Sequence, residues 1–325
     1  MSEPDRRERF SAMADALVLP LIVAPMTGVS SLDLVLAASA SGVAVSFPTH
    51  NCGSTNELDR WLTECGDAAA RASMPAGPVM PNLIVHTTNA RRTEDLNVLI
   101  RHRVPAVITS VGSPAAVVTP LHDAGILVLS DVSSLRHVQR AIDAGVDGLI
   151  LLAAGAGGQT GWANPLAFIR ATRAVWDGPL ILAGGVVDGA SLLAARTAGC
   201  DLGYMGTRFI ATHESAASPQ YRRAVVEATL DDIELTTAHT GLWTNMIKAP
   251  KRTPAHDVVD AFGATVLPDL DGTSDNTGFF SAGHSVSATT ATSSTPELVE
   301  QIRHEYAEAI ATTRKALGAA RSITR

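Results

Sequence analysis

The sequence predicts an α/β fold, a (β/α)8 TIM barrel that carries a C-terminal excursion and a closing helix. Three observations predict it. Eight short apolar runs recur through the first two thirds of the 325 residues, stretches with helical spacing separate them, and several stretches end in a glycine before the next run. Continuous apolar runs are typical of parallel strands buried on both faces, and closure at eight strands leaves no sheet edge.

The eight predicted strands are the apolar runs themselves. They span residues 21–24, 43–47, 82–85, 106–111, 126–132, 148–154, 180–183 and 202–205. An open doubly wound sheet is the rival architecture, and it would place its glycine-rich turn after the first strand. Here Ala24-Pro25-Met26 follows the first strand, and the glycines concentrate after the last three. The barrel is therefore favoured.

The alternation of apolar runs and helical stretches ends after the eighth strand, so the rest of the chain is predicted to form parts separate from the barrel. We divide it into an N-terminal segment at 1–17, the barrel at 18–212, an excursion at 213–295 and a closing helix at 296–325. The excursion is interpreted as a lid or substrate wall, with a disordered surface loop as the alternative. Ser294 and Glu297 form a capping box ahead of an apolar stripe, so the last part is predicted to be a helix that packs on the barrel.

Composition and charge narrow the class of protein. The chain is 46% hydrophobic with a net charge of −7, so it offers no basic field for nucleic acid. No apolar stretch approaches a membrane span, and the charged N-terminus lacks a signal peptide's apolar core. The three cysteines match neither a disulfide framework nor a metal site. We expect a cytoplasmic protein with reduced thiols that binds no membrane, nucleic acid or metal.

Two glycine-bearing corners follow neighbouring predicted strands. Gly184 and Gly185 follow the seventh strand, and Gly206 and Thr207 follow the eighth. Loops at these two places in barrels commonly hold phosphate, because backbone N–H groups without bulky side chains face the anion. We therefore expect a phosphate site; the alternative is that the glycines only turn the chain. Arg208 either assists the anion or pairs with a carboxylate elsewhere.

A long glycine-rich turn follows the sixth strand. Gly157 and Gly158 would let the backbone approach a flat ligand closely. Gln159 is predicted to point at the barrel mouth, where its amide can form hydrogen bonds but cannot take a proton at neutral pH. A glutamine that faces solvent is the alternative.

Polar residues inside apolar strands need partners. Asn82 opens the third strand, and Ser130 and Asp131 end the fifth. Each would be satisfied by a ligand heteroatom or by a neighbouring backbone group. The residue types alone do not decide between these two partners.

Three histidines lie near predicted strand ends or in the excursion. His50 follows the second strand, His86 follows the third, and His284 lies in Ser281-Ala282-Gly283-His284. Each could act as an acid or base near neutral pH, and a structural or exposed role is the alternative for each.

Six motifs together resemble one known family. They are Ala24-Pro25-Met26, Ser46-Phe47-Pro48-Thr49, Asn82-Leu83-Ile84-Val85, Gly155-Ala156-Gly157-Gly158, Ala183-Gly184-Gly185 and Met205-Gly206-Thr207-Arg208-Phe209. The combination is similar to the nitronate monooxygenases, formerly called 2-nitropropane dioxygenases, a family that also contains flavin-dependent enoyl reductases. The resemblance covers residues 18–247 and, more loosely, 281–283.

The resemblance implies FMN at the carboxyl-terminal mouth of the barrel. Glycines 184, 185 and 206 with Thr207 would hold the phosphate, Asn82 would contact the flavin, and residues 24–26 would run beside its ring. The predicted cofactor-binding residues are Ala24, Pro25, Met26, Asn82, Ser130, Gly157, Gly158, Gly184, Gly185, Met205, Gly206 and Thr207.

One departure from the family pattern concerns the proton acceptor. Members of the family similar to this chain carry histidine after the Gly-Gly pair, whereas this sequence has Gln159, which cannot be a general base. The predicted catalytic residues are therefore Gln159 as a hydrogen-bonding group, and His86 or His284 as the group that has taken over acid and base chemistry.

The resulting hypothesis is an FMN-dependent oxidoreductase that carries out a modified or specialised oxidation. The substrate is expected to be a small molecule, with molecular oxygen or NAD(P)H as the second reactant, and a homodimer is compatible with the resemblance. The alternatives are an FMN-dependent enoyl reductase, a flavin-free phosphate-binding isomerase or synthase, and a non-catalytic relative that retains FMN.

Overall fold

Eight parallel strands form the predicted barrel. The computed structural model describes residues 2–238, 241–248 and 280–320. The strands are β1 (Leu21–Val23), β2 (Ala44–Val45), β3 (Asn82–Ile84), β4 (Ala106–Ser110), β5 (Leu127–Val132), β6 (Gly148–Leu152), β8 (Leu180–Ala183) and β9 (Leu202–Met205), with the short β7 (Gly158–Gln159) between β6 and β8. They pair in the order β2-β1-β9-β8-β6-β5-β4-β3. Parallel bridges from Val45 to Val79 and from Pro48 to Asn82 join β2 to β3, so the barrel is closed and the fold prediction is confirmed.

Helices surround the barrel and cover its ends. They are α1 (Glu3–Asp15), α2 (Leu32–Ala40), α3 (Thr55–Arg71), α4 (Arg92–His102), α5 (Ala115–Asp123), α6 (Leu135–Asp143), α7 (Pro165–Arg173), α8 (Gly189–Ala198), α9 (Thr207–Ile210), α10 (Pro219–Glu227) and α11 (Thr295–Ala320). Gly199, the residue after α8, has φ of +118°, as expected of a glycine that stops a helix before the next strand. The predicted helix–glycine–strand punctuation is therefore confirmed.

Strand alternation divides the core into two layers. Leu127 and Leu129 of β5 belong to an apolar cluster inside the barrel, whereas Val128 and Val132 pack outward against the helices. The same alternation holds in β9, where Tyr204 faces inward and Met205 faces the helices. Each strand thus sends every second side chain toward the barrel axis, and the last inward residue of each strand lies at the mouth.

The N-terminal segment plugs the amino end of the barrel. Phe10 of α1 is 2% exposed and belongs to the interior cluster, against which Met13 also packs. Arg6 anchors the helix through Nε to Asp147 Oδ1 at 2.5 Å, and the other carboxyl oxygen of Asp147 lies 2.8 Å from His122 Nε2. The sequence predicts only a charged segment at residues 1–17, because the charges outnumber the apolar residues that form the buried face.

The C-terminal helix takes the place of the eighth barrel helix, since α9 has only four residues. Ser294 and Glu297 form the predicted capping box, with Ser294 N–H donating to Glu297 Oε2 at 2.9 Å. The helix packs on α8 and α2. At the α8 contact a side chain on Gly189 would overlap the backbone of Tyr306, so the two helices approach closely.

A small antiparallel sheet stands beside the barrel. It pairs β10 (Ile233–Thr236) with β11 (Thr244–Ile247), and β11 in turn pairs with β12 (Phe280–Ser281) and with β7. The sequence predicts a turn at the residues that form β7. The predicted excursion at 213–295 includes residues 239–240 and 249–279, which lie outside the described residues. Within the part of the chain that the structure describes, no helix is long and apolar enough to cross a membrane.

Candidate active site

Polar side chains from four strands face the axis of the barrel near its mouth. Each has a buried polar atom with no hydrogen-bond partner among the described residues: Ser46 Oγ, Asn82 Nδ2, Asp131 Oδ1 and Tyr204 Oη. A buried polar atom without a partner costs about 1–3 kcal/mol in a folded protein. Four of them on the inner face of one barrel therefore indicate a polar ligand there.

The amide of Asn82 is oriented by its neighbour. The Ser110 hydroxyl donates to Asn82 Oδ1 at 3.1 Å, so the carbonyl side of the amide is satisfied within the barrel. The Nδ2 donor is left without a partner among residues 2–238, 241–248 and 280–320. Asn82 can therefore donate to an acceptor at the mouth.

The two predicted phosphate corners are adjacent, because β8 pairs with β9. Among the described residues, the backbone N–H groups of Gly184, Gly185 and Gly206 donate no hydrogen bond. Gly184 has φ of +103°, and a Cβ there would lie 2.9 Å from both Ala153 O and Ala156 N, so this corner accommodates no side chain. A Cβ on Gly185 would meet no atom within 4 Å. Free donors and open space thus occur together, as an anion site requires.

A junction of three loops supports these corners. The Gly283 N–H donates to Thr207 Oγ1 at 2.9 Å, and the His284 N–H donates to Gly155 O at 2.9 Å. A Cβ on Gly157 would lie 2.7 Å from Gly283 N, so the glycines allow the loops to touch through their backbones. The Thr207 hydroxyl is thus an acceptor for this loop contact.

The loop after β1 lies against the second corner. A Cβ on Gly206 would lie 3.4 Å from Met26 Sδ and 3.5 Å from Ala24 Cβ. Residues 24–26, with Pro25 at their centre, therefore line the same part of the mouth as Gly206. Arg208 does not join this group, because its guanidinium bonds Val187 O at 3.1 Å and pairs with Glu305 of α11 at 3.7 Å.

Two predicted cofactor-binding side chains occupy positions on the outer face of their strands. Met205 is 1% exposed and packs among the outward-facing residues, and Ser130 occupies an outward register position in β5. Strand alternation is the physical reason, since it turns Tyr204 and Asp131 inward instead. Tyr204 and Ser46 are not among the residues predicted from the sequence, although a polar residue at an inward position of an apolar strand is the signal that would identify them.

A cavity of about 200 Å³ opens beside the mouth. Its lining includes Val111, Ser130, Asp131, Leu152 and Gln159. Val111 has φ of +50°, a conformation that is rare for a β-branched residue and costs on the order of 1–3 kcal/mol. Backbone strain of this kind clusters at functional sites, so it marks the cavity as a candidate substrate site.

Asp131 is the ionisable group at the centre of this site. Removal from water raises the pKa of its carboxyl from 3.8 to about 7. Desolvation, with a smaller contribution from the charge of Asp131, raises the pKa of the Tyr204 phenol well above 10, so that group stays neutral at physiological pH. One carboxyl that titrates near neutral pH therefore faces a neutral hydrogen-bonding phenol.

The raised pKa of Asp131 predicts a pH-dependent stability. A carboxyl whose pKa is higher in the folded state stabilises the protein below its ordinary pKa of 3.8, and that contribution is lost as the pH rises through about 7. The stability of Asp131→Asn relative to the wild type is therefore expected to rise by about 2–3 kcal/mol from pH 5 to pH 8. Thermal unfolding at the two pH values measures this gain. Asp143→Asn on the exposed face of α6 is the control. An equal difference in stability between Asp131→Asn and the wild type at both pH values would contradict the prediction.

The three candidate histidines occupy different surroundings. His86 is exposed, with Nδ1 2.8 Å from Thr88 Oγ1, and His284 is exposed beside Gly155. His50 is half-buried, and burial, with the charge of Arg91, lowers its pKa to about 4. None of the three lines the cavity that contains Gln159. Their catalytic roles stay predictions.

Comparison with known proteins adds a family match and several relatives. A family model described as nitronate monooxygenase matches residues 10–305. A nitronate monooxygenase from Paraburkholderia phytofirmans is 32% identical over 42% of this chain and 40% of its own length. A (3aS,4S,5R,7aS)-5-hydroxy-7a-methyl-1-oxo-octahydro-1H-indene-4-carboxyl-CoA dehydrogenase from Mycobacterium tuberculosis is 26% identical over 69% of this chain and 61% of its own length. The chain thus spans between two fifths and three fifths of the length of these relatives.

Two solved structures share the fold. FabK from Thermotoga maritima superposes with a TM-score of 0.76 at 21% identity, over 95% of this chain and 98% of that one. A nitroalkane oxidase from Streptomyces ansochromogenes superposes with the same TM-score at 23% identity, over 93% of this chain and 99% of that one. The likeness extends over nearly the whole length of all three chains.

Proposed function

The chain belongs to the nitronate monooxygenase family, and from that premise we propose that it is an FMN-dependent oxidoreductase acting on a small molecule at the mouth of its barrel. The observation that carries the proposal is a set of backbone N–H groups, those of Gly184, Gly185 and Gly206 at two adjacent corners, that have no partner among the described residues. Barrels of this kind commonly hold a phosphate at these corners.

The residues present fit FMN at both of its ends. Three backbone donors would hold the phosphate, as backbone amides commonly do for a dianion. Asn82 Nδ2 and the Tyr204 phenol are buried without partners among the described residues, and they offer hydrogen bonds to the heteroatoms of a flat polar ring. When bound, FMN supplies a ring that exchanges electrons with a substrate.

Gln159 is a group that can bind the substrate in the proposed oxidation but cannot accept its proton. Its side chain makes no hydrogen bond to any residue in the described ranges and lines the cavity beside the mouth. An amide there orients a substrate carbonyl or nitro oxygen by donating from Nε2, but it accepts no proton. We therefore propose a specialised oxidation in which Gln159 positions the substrate and another group accepts the proton, with molecular oxygen or NAD(P)H as the second reactant.

A second candidate is oxidation or reduction of a carbon–carbon bond next to a carbonyl. It is favoured by the similarity to a dehydrogenase whose name describes a carboxyl-CoA compound, together with the free amide donor of Gln159. Apoprotein reconstituted with FMN and reduced anaerobically separates the two candidates. Faster reoxidation by an enoyl thioester than by oxygen supports the second, and the reverse order supports the first.

FMN binding tests the phosphate site directly. Ala at position 185 places a Cβ in the open space beside the free donors, so Gly185→Ala is expected to weaken FMN binding by roughly tenfold, about 1.4 kcal/mol. Flavin fluorescence during titration of apoprotein gives the dissociation constant. Gly145→Ala is the matched control, because Gly145 has φ of +82° against +77° for Gly185 and lies at the opposite end of the barrel. Equal affinity in both variants would contradict the assignment of this corner.

A further inference from the structure

Two polar side chains that have no hydrogen-bond partner in the described part of the chain line the cavity beside the mouth. Asp131 ends β5 and Gln159 lies in β7, and neither side chain makes a hydrogen bond to another residue of the described ranges. The backbone of Gln159 is held in place, because Thr244 pairs with it in the small sheet and Asn245 Nδ2 donates to Ala156 O at 2.8 Å. A carboxyl group and an amide thus line one cavity, and each can form hydrogen bonds with a ligand there.

We propose that the carboxylate of Asp131 accepts a proton from a carbon acid bound in this cavity, while the amide of Gln159 donates to the carbonyl or nitro oxygen that activates that carbon. The proposal rests on the proposed function in taking the barrel mouth as the substrate site. It names the group that takes the proton, and it restricts the substrate to compounds with an acidic C–H bond next to such an oxygen.

The proton transfer is balanced without an oxidant. The C–H bond of the substrate breaks, an O–H bond forms on Asp131 Oδ2, and the electron pair stays on the substrate as its conjugate base. Oδ1 is the buried oxygen of the carboxyl, so Oδ2 is left for the cavity. The negative charge that develops on the activating oxygen is stabilised by the hydrogen bond from Gln159 Nε2.

Few other titratable groups face Asp131. The neighbouring strands present Ile108 and Ser110 on one side and Ile150 and Leu152 on the other, none of which carries a charge. Across the barrel is the neutral phenol of Tyr204.

The remaining charged groups of the cavity come from α6. His137 and Arg140 line the cavity, and His137 Nδ1 lies 3.0 Å from Ser133 Oγ. Burial lowers the pKa of His137, with smaller contributions from Arg136 and Arg140, so its ring is neutral at physiological pH. Asp131 is the carboxyl group that lines this cavity, and a base whose pKa is near the working pH is well matched to carbon-acid chemistry.

Proton exchange tests the proposal separately from flavin turnover. The 325-residue chain, with FMN added, is incubated with nitroethane in D2O near neutral pD, and loss of the C–H signal next to the nitro group is followed by proton NMR. We expect exchange faster than in buffer alone, and Asp131→Asn to reduce the enzyme-dependent rate by roughly 100-fold. Asp131→Glu keeps the carboxyl group and is expected to retain part of the rate, while Asp143→Asn is the folded control.

A carbon NMR titration provides a readout that needs no substrate. In protein labelled at the aspartate carboxyl carbons, one signal that titrates at about pH 7 is expected in the wild type and absent in Asp131→Asn. FMN binding is measured on the same samples, so a wild type that binds no FMN contradicts the proposed function. A wild type that binds FMN but exchanges nitroethane no faster than buffer overturns the role of Asp131. Exchange that survives in Asp131→Asn and is lost in His86→Gln or His284→Gln overturns it as well.

Discussion

Replacement of Gly283 by alanine is expected to lower the free energy of unfolding by about 1–3 kcal/mol and to weaken FMN binding by at least tenfold, about 1.4 kcal/mol. The added Cβ would overlap the carbonyl oxygen of Gly155 and lie 2.7 Å from Gly157 N. Both neighbours are backbone atoms, so the loops have to separate. That movement breaks the Gly283–Thr207 hydrogen bond that joins the loop to the phosphate corner.

Urea unfolding and flavin titration of the Gly283→Ala variant measure the two effects. Gly66→Ala is the matched control, because Gly66 lies on the exposed face of α3 and a Cβ there would meet no atom within 4 Å. Alanine at that helical position is expected to be neutral or to stabilise by up to about 1 kcal/mol. If Gly283→Ala unfolds and binds FMN like the wild type, the three-loop junction does not support the site.

Replacement of Phe10 by alanine is expected to cost about 3–5 kcal/mol of stability, which is the usual range for a buried phenylalanine. Phe10 is 2% exposed within the cluster inside the barrel, so truncation leaves a cavity at the amino end. The site lies at the opposite end of the barrel, so FMN affinity of the folded variant is expected to stay within about twofold of the wild type.

Denaturant unfolding of Phe10→Ala against Met74→Ala checks this prediction. Met74 is 71% exposed, and its truncation is expected to change stability by no more than about 0.5 kcal/mol. A similar small change in both variants would show that α1 does not plug the barrel.

The parts of the fold that depend on local pattern were predictable from the sequence. The strand at residues 180–183 is a bounded apolar run, and the helix after it ends at Gly199, so both were placed correctly. The role of α1 was missed because Phe10 and Met13 form a short apolar face within a highly charged segment. Only the tertiary structure shows which surface that face covers.

The candidate site was predictable only in part. The two glycine corners follow strand ends and could be found from the sequence, whereas the choice between Ser130 and Asp131 required the strand register. The contact between Thr207 and Gly283 joins residues 76 positions apart, and no local pattern marks it. No local sequence pattern marks the pairing of Gln159 with Thr244 either. The place of the Gln159 backbone in the small sheet could therefore be found only from the structure.

The most direct test of the central claim is the ratio of dissociation constants for riboflavin and FMN, measured by fluorescence titration of the same apoprotein. The two ligands share the ring and differ in the phosphate, so the ratio isolates the corners formed by Gly184, Gly185 and Gly206. Charge-assisted hydrogen bonds of about 1.5–3 kcal/mol each predict that FMN binds at least roughly 100-fold more tightly. Equal affinities for FMN and riboflavin would contradict the account.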